Sequence, residues 1–164
     1  MIELALRPAT EGDEGLLLEW RNEPETRRQS LQQAPVPPEQ HARWFRDRLA
    51  RPSECRIYIA DVDGAPVGQA RVEVTGEGRG EISIAVAAGS RGRGLGRTLI
   101  AKATEHAAAD LGTSSVAAVV KRENVASLRA FETAGYGEPT PAEREGEPVL
   151  VLTWRASTLA RARR

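Results

Sequence analysis

Gly89-Ser90-Arg91-Gly92-Arg93-Gly94-Leu95-Gly96-Arg97 is the stretch whose reading decides the fold. An apolar run from Ile82 to Ala88 leads into it, and Leu95, Leu99, Ile100, Ala103 and Ala107 leave it at helical spacing. A strand therefore ends in a turn rich in glycine and arginine that opens directly into a helix. The first N–H groups of a helix have no internal partner, and the helix dipole adds partial positive charge there. Glycines let the backbone approach a ligand closely, and arginines add forked donors. That combination makes an anion cradle of the kind that holds a phosphate or pyrophosphate.

Spacing excludes two common phosphate loops. A Walker loop needs Gly-Lys-Ser or Gly-Lys-Thr, and neither occurs in the chain. A dinucleotide fingerprint needs G-x-G-x-x-G near a first parallel strand, whereas Gly92 to Gly96 reads G-x-G-x-G halfway along the sequence. The pattern that fits is R-x-x-G-x-G, from Arg91 to Gly96.

The totals bound the rest. With 164 residues, 40% hydrophobic and 28% charged, the chain has the size and composition of one soluble domain with its own core. No apolar run reaches membrane-spanning length, and the N-terminus lacks a signal-peptide pattern, so no membrane association is expected. A lone Cys55 excludes an internal disulfide and a cysteine-rich metal site, and points to a cytoplasmic location. His41 and His106 are the only histidines and their spacing suggests no metal pair. The formal net charge of zero argues against nucleic acid as a partner.

Taken in order, Ile2 to Arg7 alternates as a half-buried strand ended by Pro8. Thr10 and Asp13 have the spacing of a helix cap, and Leu16, Leu17 and Trp20 stripe the helix that Pro24 breaks. A long polar connection to Pro38 precedes a second helix to about Ala50. Arg56–Val62, Pro66–Val74 and Glu81–Ala87 form an antiparallel meander, turned at Asp63-Gly64 and across Gly76–Gly80. The helix after the cradle stops at Gly112, Ser115–Lys121 is a strand, and Asn124 caps a short helix closed by Gly135. Val149–Trp154 pairs with a strand beginning near Tyr136, or across a homodimer. The order is β-α-α-β-β-β-α-β-α-β-β: one α/β domain over residues 1–156 with a mixed, mostly antiparallel sheet, followed by a basic tail over 157–164.

At this point the sequence resembles the GNAT family of N-acetyltransferases, over nearly the whole chain by order of elements. Arg91-Gly-Arg-Gly-Leu-Gly96 is similar to the family's Gln/Arg-x-x-Gly-x-Gly/Ala, and Asn124-Val-Ala-Ser127 with Phe131-Glu-Thr-Ala-Gly135-Tyr136 to its Asn-x-x-Ser helix. The resemblance implies acetyl-CoA as co-substrate, with its pyrophosphate held by the backbone of Arg91, Gly92, Arg93, Gly94, Leu95 and Gly96 and with Arg97 nearby. It also implies a sheet splayed after the fourth strand, the backbone of Ile84 and Val86 bonding pantetheine as an added strand would, and Asn124 and Phe131 lining the cofactor.

Direct transfer requires a neutral amine, a polarised thioester and a stabilised leaving thiolate. The resemblance makes Glu81, ten residues before Arg91, the candidate base, with Glu73 in reserve. Where many members carry a tyrosine acid this chain has Phe131, which has no proton to give. Ser127 positioning a water, Tyr136, and unassisted departure of the thiolate stay open. Glu19-Trp-Arg-Asn22 and His41-Ala-Arg-Trp-Phe45 are similar to members that acetylate nucleotide-linked amino sugars. Trp20, Arg21, Arg27, His41 and Trp44 are therefore the candidate acceptor residues, the arginines for a phosphate and the tryptophans for stacking. The expected acceptor is the primary amine of a small molecule. A protein N-terminus, an aminoglycoside held by Glu11, Asp13, Glu14, Glu19, Glu23 and Glu25, and a non-catalytic acyl-CoA-binding module are the alternatives.

Overall fold

The computed structural model describes residues 2–157, so most of the basic tail lies outside the described residues. Seven strands form one sheet in the order β1-β2-β3-β4-β5-β7-β6. They are β1 (Leu4–Pro8), β2 (Cys55–Val62), β3 (Ala65–Gly76), β4 (Arg79–Val86), β5 (Ser115–Lys121), β6 (Thr140–Arg144) and β7 (Glu147–Arg155). The helices are α1 (Glu14–Asn22), α2 (Pro24–Gln29), α3 (Pro38–Leu49), α4 (Leu95–Leu111) and α5 (Val125–Thr133). All pairs are antiparallel except β4 with β5. This is the mixed α/β sheet expected from the sequence.

Four local expectations are corrected. Pro24 does not simply end a helix: it opens α2 at the first helical position, where its missing N–H costs nothing. The expected long connection thus contains a third N-terminal helix. The β3–β4 turn is tighter than Gly76–Gly80, with only Glu77 and Gly78 between the strands and Gly78 at φ 67°, so Glu81 is the third residue of β4. The strand beside β7 starts at Thr140, because Tyr136 is buried against α4, where its hydroxyl and that of Thr104 lie 2.8 Å apart. Finally, β7 pairs with β5 on one edge and β6 on the other. Its hydrogen-bonding edges are used within the chain and cannot pair across a homodimer.

Alternation along the strands sorts two layers. Val72, Ala70 and Ile82 point to the face covered by α4, where Leu95, Leu99, Ile100, Ala103 and Ala107 bury a continuous stripe. Ile57 and Ile59 point to the opposite face, against Leu17, Trp20 and Phe45 of α1 and α3. Gln69, Arg71 and Glu73 of β3 and Glu81, Ser83 and Ala85 of β4 are paired in register with one another. By the two-residue period they lie on the α1/α3 face.

One glycine is required by close approach. A Cβ at Gly68 would meet the Ala85 carbonyl oxygen at 2.7 Å, a backbone atom that cannot swing aside. Gly68→Ala is expected to destabilise the domain by about 1–3 kcal/mol, read as a lower denaturant midpoint with an unchanged m-value.

Candidate active site

The parallel β4–β5 pairing runs from Arg79/Ser115 to Ile82/Ala118 and stops there. Beyond Ile82 the two strands diverge, and β4 continues beside β3 alone. The Ala87 N–H donates to the Val67 carbonyl at 2.7 Å. By antiparallel alternation the backbone polar groups of Ala85 therefore also face β3, and those of Val86 and Ile84 face the gap. The Val86 carbonyl accepts a 3.1 Å bond from Arg91 Nε, as this geometry requires. The gap is thus an open strand edge inside the molecule.

At its mouth is the cradle. Gly92 and Gly94 have φ of 76° and 72°, and Gly94 caps α4 with no side chain on the orphan N–H groups. A side chain would restrict that left-handed turn, and these donors have no side-chain acceptor of their own. The residues present therefore fit an extended ligand with an anionic end. Leu95 contributes its backbone while its side chain is buried in the core. Arg97 is exposed beside the cleft, whereas Arg93 does not line it. Arg91 is turned across to α2: its guanidinium contacts the Glu23 carboxylate at 2.7 Å and the Thr26 hydroxyl at 3.2 Å. The Arg91 hydrogen bond holds the Glu23 carboxyl down at about 2, so both partners are charged at neutral pH.

The cleft is about 960 Å³ and runs from the cradle past the gap to the α1/α3 face. Ile84, Val86, Asn124, Ser127 and Phe131 line it, as do Glu81, Trp20, Arg21, His41 and Trp44. Asn124 Oδ1 accepts the Ser127 N–H at 3.2 Å, which makes it the cap of α5 whatever else it touches. Phe131 is buried, edge-on to Tyr136 with ring centroids 5.0 Å apart.

Glu81 faces Glu73 directly across β3 and β4. Two like charges in register repel, and each is offset by arginine. Arg48 and Arg71 approach Glu73 at 2.9 and 3.3 Å, and Arg144 grips both Glu81 oxygens at 3.2 Å. That bond to Glu81 raises the Arg144 pKa.

The α1/α3 end of the cleft differs from expectation in several ways. Arg27 does not line the cleft and donates to the Gln33 carbonyl. Trp20 is buried, and the Trp44 ring has Arg71 and Arg48 over it at 4.9 and 5.7 Å with His41 alongside. The tryptophans thus wall the cleft and do not present open stacking faces. The acidic groove does not form. Asp13 is bound by Arg7 at 2.9 Å, Glu23 by Arg91 and Glu25 by Arg28, and of the six carboxylates only Glu25 lines the cleft.

Tyr136 is excluded as the acid on geometry. It is buried and partnered by Thr104, and burial raises its pKa. Tyr136→Phe is expected to leave kcat unchanged and to lower stability by about 1 kcal/mol, the net worth of one buried hydrogen bond. A large fall in kcat would restore the phenol to the mechanism.

Arg71, Arg144 and Lys121 were not among the residues expected here. Lys121 ends β5 and is 5% exposed, with Nζ donating to the Arg28 carbonyl of α2 at 3.0 Å. Arg71 was accessible from its period-two relation to Glu73. Nothing local marks Arg144, which meets Glu81 from 63 positions away.

A sheet opened after its fourth strand, with a glycine-built anion cradle at the mouth and a carboxylate within, fits an acyltransferase that works on a coenzyme A thioester. Residues 3–137 match the Acetyltransferase (GNAT) domain, and the chain belongs to that family. It is an N-acetyltransferase that uses acetyl-CoA as co-substrate. The fold is similar to that of the aminoglycoside acetyltransferase AAC(6')-Ib in complex with coenzyme A, with 22% identity, a TM-score of 0.82, and coverage of 99% of this chain and 100% of that one. It is similar also to yncA from Salmonella typhimurium, solved with acetyl-CoA, at 18% identity, TM-score 0.76 and coverage of 94% and 95%. A third likeness is the ribosomal-protein-alanine N-acetyltransferase from Brucella melitensis, at 24% identity, TM-score 0.75 and coverage of 92% and 99%. No curated protein matches the sequence. Among the described residues no cluster of His, Cys, Asp and Glu is placed to hold a metal, and no helix is long and apolar enough to cross a membrane.

Proposed function

We propose that the acceptor is the primary amine of a small molecule of amino-sugar size, and that Glu81 receives its proton. The observation that carries this reading is the position of Glu81 on β4. It stands next to Ile82, where the strands part, and its side chain lies on the face walled by α1 and α3. An amine entering from that side meets the carboxylate before it reaches the gap. Arg144 leaves lone pairs of the Glu81 oxygens free, so proton transfer runs directly or through one water.

The backbone N–H groups of Ile84 and Val86 face the gap and are the donors available to a developing oxyanion. Phe131 contributes apolar wall and no proton. Ser127, which lines the cleft one turn before Phe131, positions a water near the leaving thiolate. Asn124 and the cradle from Arg91 to Arg97 hold the donor; acetyl-CoA supplies the activated acyl group.

The likeness to AAC(6')-Ib carries no argument about the acceptor, because it is a likeness of fold. Two of the three acidic residues lining the cleft, Glu25 and Glu81, are held by arginines, which disfavours a polycation. Release of free thiol from acetyl-CoA tests the reading with four amines: an amino sugar, its phosphate ester, a short peptide and kanamycin. Amine-dependent release with either sugar supports it. Release with the peptide alone assigns the enzyme to protein termini.

A further inference from the structure

We infer that the acceptor bears a compact oxyanion, a carboxylate or a phosphate, and that Arg21 with Arg71 beside it is the subsite that selects for that group. The inference rests on the reading that the α1/α3 end of the cleft receives the amine. Charge at that end is unevenly compensated. Of the three acidic lining residues, Glu25 is paired to Arg28 and Glu81 to Arg144, and Glu145 lies on the β6–β7 turn beside Arg144, away from α1 and α3. Arg21 has no carboxylate partner among the described residues. One of its terminal nitrogens, Nη2, donates to the Gln32 carbonyl at 3.0 Å, and the other, Nη1, is buried without any acceptor.

A buried guanidinium N–H without an acceptor is costly, and nearby positive charge makes it worse. Burial pushes the Arg21 pKa down, and the charges of Arg71 and Arg27 push it further the same way. Arg71 shares Glu73 with Arg48 and lies over Trp44, so it is only partly neutralised. His41 completes the corner. It is 4% exposed, burial holds its pKa below the ordinary value, and its Nδ1 has no partner. Glu14, whose Oε1 is likewise buried without a partner, acts on His41 in the opposite direction, and it does not line the cleft.

A corner with an unpaired guanidinium, a half-paired one and a free imidazole nitrogen is complementary to an oxyanion that accepts several bonds at once. Carboxylate and phosphate share this chemistry, and the test separates them.

The enzyme is assayed with matched amines: an amino sugar against its phosphate monoester, an α-amino acid against its amide, and kanamycin. We expect kcat/KM to favour the anionic member of at least one pair by about 10- to 100-fold. The phosphate pair or the amino-acid pair identifies the group. Arg21→Met should reduce that preference to about threefold or less while acetyl-CoA affinity, read calorimetrically, stays at the parent value. Because Arg21 is partly buried, Arg71→Gln is made in parallel, and it should weaken the same preference.

Binding supplies a readout that needs no turnover. Inorganic phosphate or acetate titrated into CoA-saturated protein should change tryptophan fluorescence saturably, with the dissociation constant about tenfold weaker in Arg21→Met. Equal turnover within both pairs, preference for kanamycin, or CoA-saturated protein that binds neither anion overturns the inference and leaves acetyl transfer intact. Failure to bind CoA, or to release thiol with any amine while binding the anions, would count instead against the proposed function.

Discussion

Gly94→Val is expected to weaken acetyl-CoA binding by about 100-fold or more, with a much smaller effect on the fold. Gly94 is the cap of α4 at φ 72°. Left-handed backbone places Cβ against the following carbonyl at a cost of about 1–2 kcal/mol, and a β-branched side chain is worse. The chain escapes by rotating out of that region, which turns the first N–H groups of α4 away from the ligand. Space in the free protein is not the obstacle, since a Cβ there would have only Arg97 Nε within 4 Å, at 3.8 Å. The damage therefore falls on the donors and on the volume the pyrophosphate occupies. Gly89→Ala is the control: nothing lies within 4 Å of its Cβ and its φ is not positive, so affinity should match the parent. Calorimetric titration with acetyl-CoA reads both. A Gly94→Val protein that binds within threefold of the parent would move the cradle elsewhere.

Glu81→Gln should lower kcat at neutral pH by about 100-fold or more, the usual contribution of a positioned general base, while acetyl-CoA affinity changes little. The amide keeps the shape and one acceptor for Arg144 but cannot take a proton. Because both partners are partly exposed, loss of the ion pair should cost stability no more than about 1 kcal/mol. Thermal unfolding therefore separates a catalytic loss from a folding loss. Raising the pH supplies more neutral amine from solution, so the deficit should narrow at high pH. If mutant and parent have equal kcat across the range, Glu81 is not the base.

The elements that were legible are those set by local chemistry. Ser115–Lys121 alternates because one face packs on the core, and it forms β5 with those bounds. Asp63-Gly64 takes positive φ at both positions, as a two-residue hairpin requires. Gly112 ends α4 in the left-handed conformation. Where two local signals competed, position within the element decided. Proline breaks a helix interior but starts a helix readily, and Pro24 does the second. Tyr136 has the residue type of a strand, yet Thr104 offers its hydroxyl a partner under α4, and the strand begins at Thr140.

The candidate site divides along the same line. The glycines and arginine of R-x-x-G-x-G specify an anion cradle from sequence alone, because positive φ and free helix N–H groups are properties of a few consecutive residues. The pairing state of each charge is not such a property. The Arg91 guanidinium, expected near the phosphate, is held by Glu23, 68 positions away, while the backbone of Arg91 stays in the cradle. Six carboxylates near the N-terminus read as an acidic groove, and in the structure arginines neutralise three of them while only one reaches the cleft. Arg21 could be a solvated charge or a ligand on sequence grounds; its buried, unaccepted Nη1 exists only because α1 packs across the sheet. The sequence by itself determined the anion cradle, since backbone conformation there is dictated by neighbouring residues. The tertiary structure decided the charge left over at the α1/α3 end of the cleft, because that balance is the sum of pairings between strands and helices remote in the chain.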